Sequence, residues 1–206
     1  MKPLEKKIWL ASKSPRRREL LRQIGVEFEI LFLRDQAPRG PDVTEVVLPG
    51  ELASDYVKRV TLEKVSFAAR VLGMRQLPPR AVLSADTTVV LDGQILGKPG
   101  NESEARAMLA ALSGRRHQVL TSIALSYQQQ VWQHTQESEV QFAPLTEAQI
   151  AHYCATGEPY DKAGGYGIQG MAAAFIVQIQ GSYSGIMGLP LYDTVQLLQQ
   201  AGIGPL

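Results

Sequence analysis

The stretch from Ala81 to Pro99 constrains the fold more than any other part of the chain. An apolar run, Ala81-Val82-Leu83, reads as a buried strand. It is interrupted by Asp86-Thr87-Thr88, resumes as Val89-Val90-Leu91, and meets Asp92-Gly93. Both residues of that pair tolerate positive φ, so they signal a type I′ hairpin, with the return through Gln94-Ile95-Leu96 to Gly97-Lys98-Pro99. A carboxylate inside a buried strand is costly unless it is paired or holds a cation. Folding of the hairpin brings Lys98 back towards Asp86. The same residues also fit a bulge capped by Asp86 with Lys98 solvated.

The flanking segments alternate between strands and helices. Ile8 to Ala11 reads as a short strand leading into a helix with Ser14 as N-cap, Pro15 in the first turn and Gly25 as the stop. Arg16, Arg17 and Arg18 fill that first turn, where the helix dipole disfavours positive charge. A bound anion resolves the conflict, since N–H groups, the Ser12 and Ser14 hydroxyls and guanidiniums all suit phosphate. A solvated arginine run is the plainer alternative. Val26 to Leu33 reads as a second strand and Arg34 to Gly50 as a loop. Glu51 to Leu72 reads as a long helix ending at Gly73, with Lys64 inside its apolar stripe, either snorkelling to the surface or aimed at something anionic.

Beyond the hairpin, Asn101 caps a helix that stops at Gly114, and Val119 to Tyr127 pairs through a glutamine turn with a polar strand ending near Phe142. Thr146 to Gln149 is a capping box. The loop Glu158 to Gly170 holds four glycines in seven residues, together with Asp161, Lys162 and Gln169, a pattern that implies positive φ or close approach of backbone to a ligand. A strand over Ala174 to Ile179 and a helix over Leu191 to Gln200 complete the chain. The interleaving predicts an α/β fold, a twisted mixed sheet flanked by helices, in a single domain over residues 1–206.

Net charge is +1 over 206 residues, so nothing in the overall balance calls for nucleic acid or an anionic membrane. No apolar run approaches the ~20 residues of a membrane span. The single cysteine, Cys154, suits a reducing compartment, and a cytoplasmic protein is expected. The three histidines lack metal-ligand spacing, and the Walker and dinucleotide glycine motifs are absent. Basic residues from separate segments (Arg16 and Arg17, Lys64, Lys98) around Asp86 point to a polyphosphate substrate with a divalent cation. Mg²⁺ suits a site of one or two carboxylates completed by phosphate oxygens.

These motifs also resemble a known family. Leu10-Ala-Ser-Lys-Ser-Pro-Arg-Arg-Arg-Glu-Leu-Leu21, Ser84-Ala-Asp-Thr87 with Leu96-Gly-Lys-Pro99, Leu112-Ser-Gly-Arg-Arg-His-Gln-Val119, Tyr160-Asp-Lys-Ala-Gly-Gly-Tyr-Gly-Ile-Gln-Gly170 and Gly188-Leu-Pro190 are similar, in order, to the motifs of the Maf proteins, the septum-formation-inhibitor-like nucleoside triphosphate pyrophosphatases. The resemblance implies a two-lobed mixed α/β fold around a cleft, related to inosine triphosphate pyrophosphatases. It implies hydrolysis of a nucleoside triphosphate to the monophosphate and pyrophosphate with a divalent metal, Mg²⁺ or Mn²⁺, and a homodimer. Asp86 matches the proton acceptor at the metal, Arg16, Thr87 and Gln169 match the specificity positions, and Lys64 and Lys98 match lysines of the pocket. The acidic residue that family members carry after the second strand has no clear match here, Asp35 and Glu45 both being candidates.

Three functions compete on these residues: a dTTP/UTP pyrophosphatase, a nucleotide-binding regulator of septum formation with incidental hydrolysis, and a 7-methyl-GTP pyrophosphatase. The last branch of the family typically holds Trp, Gln and Glu at the positions of Arg16, Thr87 and Gln169, and none of the three is present. Gln169 offers one donor and one acceptor, matching N3–H and O4 of uracil and thymine, although a flipped amide also serves cytosine. UTP and dTTP are therefore the expected substrates.

Overall fold

The structure is a computed structural model and describes residues 7–33 and 43–204. Its organising element is β3 (Val82–Leu91), which borders three strands. Along one side it pairs antiparallel with β5 (Arg116–Tyr127). On the other side β1 (Ile8–Leu10) pairs parallel with Val82 and Leu83, and β4 (Gln94–Leu96) pairs antiparallel with Val89 to Leu91. Between these two partners, residues 84–88 have no strand on that side among the described residues. The chain leaves β1 and β4 at this gap, so Ser12 to Arg17 and Gly97-Lys98 collect beside Asp86.

The rest of the sheet is mixed, as expected. β2 (Phe28–Ile30) lies parallel to β1, β6 (Gln130–Phe142) antiparallel to β5, and β7 (Ile176–Gln180) antiparallel to β6. The hairpin turn forms at Asp92 and Gly93, with φ of 51° and 77°. Helix α2 (Ala53–Met74) covers the face that carries the even-numbered residues of β3, burying Val57, Val60, Val65 and Ala68 against Val82, Val90, Leu120 and Ala124. Small polar residues let it dock closely: Ser84 Oγ donates to the Thr61 carbonyl at 3.0 Å, and Thr61 and Ser122 are fully buried.

The opposite face is covered in two parts. Helix α1 (Pro15–Gln23) packs with α6 (Leu191–Gln200) over Leu83, Ala85 and Ile123. Helix α3 (Glu102–Leu112) packs with α4 (Glu147–Ala155) over Val89, Leu91 and Val119. Thr87 and Thr121 lie between these clusters, where the cleft opens.

Several boundaries differ from the sequence reading. Residues 34–42 of the expected loop, Asp35 among them, lie outside the described residues. The second strand is confined to Phe28–Ile30, because only three residues find a partner in the equally short β1. Helix α2 runs through Gly73 to Met74, because Gly73 does not take the positive φ by which a glycine ends a helix. Strand β5 starts at Arg116, earlier than expected, because Arg116 to Gln118 extend the ladder against β6. Strand β7 begins at Ile176, after a 3₁₀ turn over Met171–Phe175, and a short helix α5 (Tyr183–Ile186), capped by Ser182, precedes α6.

Candidate active site

A cleft of about 520 Å³ opens at the gap beside β3. Ser12, Ser14, Arg16, Arg17, Lys64, Asp86, Thr87, Lys98 and Gln169 all line it, so the residues expected from the sequence to carry catalysis and substrate binding share one cavity, the candidate acid Asp35 lying outside the described residues. Glu45, Tyr56, Asp161 and Lys162 line it as well.

At one end Asp86 projects from the α2 face of β3, 8% exposed. Its cationic partner is Lys64 rather than Lys98. Lys64 Nζ donates to Asp86 Oδ1 at 2.7 Å and lies 2.6 Å from Glu45 Oε1, so two carboxylates share one ammonium. Lys98 is exposed and makes no hydrogen bond or ion pair among the described residues. Burial raises the Glu45 carboxyl, but the Lys64 ammonium, with Lys98 and Arg17 beyond it, outweighs burial and holds Glu45 below its ordinary value. Tyr56 is pushed up to about 12 by burial and then by the charges of Asp86 and Glu45. Of the two acids left open by the sequence, Asp35 lies outside the described residues, and Glu45 shares Lys64 with Asp86.

The arginines at the start of α1 are used unequally. Ser14 Oγ caps the helix, accepting from Arg17 N, and Ser12 Oγ accepts from Ser14 N at 3.2 Å. Every nitrogen of the Arg17 guanidinium is engaged: Nε on the Gly188 carbonyl at 2.7 Å, Nη1 on Ser12 Oγ at 3.1 Å, Nη2 on Thr87 Oγ1 at 3.2 Å. Thr87 and Thr121 hydroxyls lie 3.0 Å apart, and Thr121 donates to the Gly185 carbonyl at 2.7 Å, so Thr87 is committed to holding Arg17. Burial lowers the Arg17 pKa, Asp86 opposes it, Arg16 adds to it, and Glu45 opposes it. Arg16 instead reaches across the cleft to Asp161, Nη1 to Oδ2 at 3.0 Å.

The glycine-rich segment folds into 3₁₀ turns over Glu158–Asp161 and Ala163–Gly165. Gly164 sits at φ 70°, and a Cβ there would stand 2.9 Å from the Val89 methyls, so only glycine lets the loop pack on β3. Its N–H donates to the Gly97 carbonyl at 3.0 Å, tying the loop to the turn that carries Lys98. Glu158 closes the loop, accepting from Tyr153 Oη at 2.9 Å and Met171 N at 3.1 Å. Behind it, buried His117 lies 2.7 Å through Nε2 from Tyr166 Oη, and burial lowers its pKa to about 4. Gln169 is exposed on the cleft wall.

Among the described residues no group of three or more His, Cys, Asp or Glu side chains converges as a metal site. The donors available are the two oxygen-bearing side chains on Lys64, Asp86 and Glu45. Two carboxylates leaving other positions to substrate and water are what a hard divalent cation such as Mg²⁺ accepts.

A family model described as Maf-like protein matches residues 7–201. The chain belongs to the Maf-like protein family. Among its relatives, a protein of Aromatoleum aromaticum is 56% identical over 203 residues, covering 98% of both chains, and one of Nitrosomonas europaea is 51% identical over 95% of both. Another, of Ralstonia nicotianae, is 52% identical over 95% of this chain and 94% of its own. Each of these Maf-like relatives carries the name dTTP/UTP pyrophosphatase. A looser likeness in fold is to the Ham1 protein of Staphylococcus aureus, 16% identical over 66% of this chain and 72% of that one, at a TM-score of 0.44, too distant to argue from.

The sequence did not reveal that Arg16 and Asp161, distant in the chain, form an ion pair, or that Thr87 spends its hydroxyl on Arg17. The signal for the first was the company Asp161 keeps with glycines and Gln169. For the second there was none.

Proposed function

We propose that this Maf-like protein is a nucleoside triphosphate pyrophosphatase that cleaves UTP and dTTP to the monophosphate and pyrophosphate. Residues 1–206 act as one domain, and the protein works as a cytoplasmic homodimer. The observation that carries the reading is the pair of carboxylates, Asp86 and Glu45, sharing Lys64 in a cleft that Arg16, Arg17, Lys98 and Lys162 also line. The names of the relatives support the substrate class, and the free, buried Cys154 suits a reducing compartment.

Asp86 and Glu45 are the residues that would hold Mg²⁺ or Mn²⁺. Bound there, the cation supplies charge neutralisation at the phosphoryl oxygens. Asp86 is the base, orienting water and accepting its proton at a carboxylate oxygen. Lys64 keeps the two acids together before substrate arrives. Lys98, with no partner to give up among the described residues, and the Ser12 hydroxyl hold phosphate oxygens beside Asp86, and Arg17 adds fixed positive charge there. Ser14 contributes by fixing the start of α1. Arg16 and Gln169 face the base, with Thr87 acting through Arg17.

The test is pyrophosphate release from UTP, dTTP, CTP and 7-methyl-GTP in the presence of Mg²⁺. UTP and dTTP are expected to lead and 7-methyl-GTP to be poor. Activity on none of the four would restore the regulator reading, and a lead for 7-methyl-GTP would overturn the branch assignment.

A further inference from the structure

The two arginines at the cleft differ in what they have left to offer. Arg17 has all three guanidinium nitrogens on acceptors within the chain. Arg16 spends only Nη1, on Asp161, and its other N–H groups make no hydrogen bond among the described residues although its side chain is only 20% exposed. A guanidinium largely withdrawn from solvent with unused donors in a cleft is set up to meet an acceptor from a ligand.

Asp161 fixes the far end of that guanidinium, the near end being fixed by the start of α1. Asp161 is itself held: Lys162 Nζ donates to its Oδ1 at 2.6 Å and to the Glu158 carbonyl at 2.6 Å. The Glu158 carboxylate in turn closes the loop on Tyr153 and Met171. Gln169 lies on the same loop, two residues before Met171, whose N–H donates to the Glu158 carboxylate.

We propose that Asp161 is a positioning residue that turns Arg16 into a selector of uracil and thymine over cytosine. The proposal rests on the pyrophosphatase reading above. Arginine is donor-only. Uracil and thymine present the O4 carbonyl, which accepts from it, whereas cytosine presents a 4-amino group, a donor that meets a donor. Gln169 does not make this distinction alone, because its amide flips to serve either edge. Asp161 also offsets the Arg16 charge, so the guanidinium stays with the base instead of turning to the triphosphate.

The experiment measures kcat and KM for UTP and CTP with Mg²⁺ in the full-length wild type, Asp161→Asn and Asp161→Glu. The wild type favours UTP. Asp161→Asn lowers the UTP:CTP ratio of kcat/KM by about tenfold, the loss of one well-aimed charge-assisted contact. It does so through a raised KM for UTP, with kcat within about twofold of wild type, and Asp161→Glu retains most of the preference. Equal losses on both substrates, or a fall in kcat at an unchanged ratio, would mark a merely structural role and overturn the proposal. Should Asp161→Asn not fold, Arg16→Lys, which lacks the planar fork, serves the same comparison: its ratio falls if the proposal holds and stays if it does not. A wild type inert towards both triphosphates defeats the underlying reading and the proposal with it. A wild type active on both without preference overturns the proposal alone.

Discussion

Asp86 and Lys64 come from the middles of β3 and α2, two long elements locked together by the buried Ser84, Thr61 and Ser122. Arg16, Asp161 and Gln169, which line the same cleft and are assigned above to the base, come from a helix start and a loop of short turns. Under the proposed function the contrast follows the demands on each group. Bond cleavage needs a carboxylate held to a fraction of an ångström, which regular elements supply. Reading a base needs a few donors and acceptors on a segment that can be rewritten without disturbing the sheet.

The comparison breaks first, if it breaks, at Asp86. Asp86→Asn is expected to keep the fold and lower turnover on UTP by a factor on the order of 10² or more, read as initial rates at saturating substrate. Near-normal turnover would remove the chemistry from that end. A smaller loss, about tenfold, is expected for Lys64→Met, which leaves Asp86 and Glu45 facing each other with no cation between them. Thermal melts sharpen this case, because added Mg²⁺ should stabilise Lys64→Met more than wild type. An equal response would separate the lysine from the carboxylates.

At the base end the effects are on choice rather than rate. Gln169→Glu should lower the ratio of catalytic efficiencies for UTP over 7-methyl-GTP by about tenfold, since a carboxylate facing O4 is repelled while methylated guanine presents two donors to it. An unchanged ratio would take Gln169 out of base recognition. The smallest effect on turnover, within about twofold at pH 7, is expected for His117→Gln behind the loop.

His117→Gln should still change the pH dependence of stability. The folded His117 pKa of about 4 lies below its unfolded value near 6.5, so the unfolded chain binds more protons between them. The associated stability is fully present above about pH 6.5 and is lost as pH falls towards 4. In urea unfolding, the wild type should lose about 2 kcal/mol more than His117→Gln between pH 7 and pH 5. Parallel pH profiles would mean that the imidazole is not held neutral by its burial.

Much of this was legible in the sequence because it is local. Ser14 and Pro15 start α1, Asp92-Gly93 turns the hairpin, and the Thr146–Gln149 box opens α4, each through neighbours a few residues apart. Asp86 stood out because a carboxylate in an apolar strand needs a partner. The partner itself was less legible: Lys98 is nearer along the hairpin, but α2 lays Lys64 across the sheet, and helix placement is a tertiary fact. The helix-start arginines were read as one anion site, yet Arg17 is absorbed by Gly188, Ser12 and Thr87 while Arg16 crosses to Asp161. Such choices depend on which carbonyls and carboxylates the fold brings near, and sequence spacing does not encode them. Glu45 shows the same limit, since its place beside Lys64 is set by how the fold lays this segment against α2.

The most direct measurement follows the phosphorus products of UTP by ³¹P NMR, with wild type and Asp86→Asn side by side and circular dichroism to verify the fold of both. Wild type should yield UMP and pyrophosphate in equal amounts, and Asp86→Asn should leave UTP largely intact over the same interval. Release of orthophosphate with UDP, or the same products at a similar rate from Asp86→Asn, would contradict a pyrophosphatase built on Asp86.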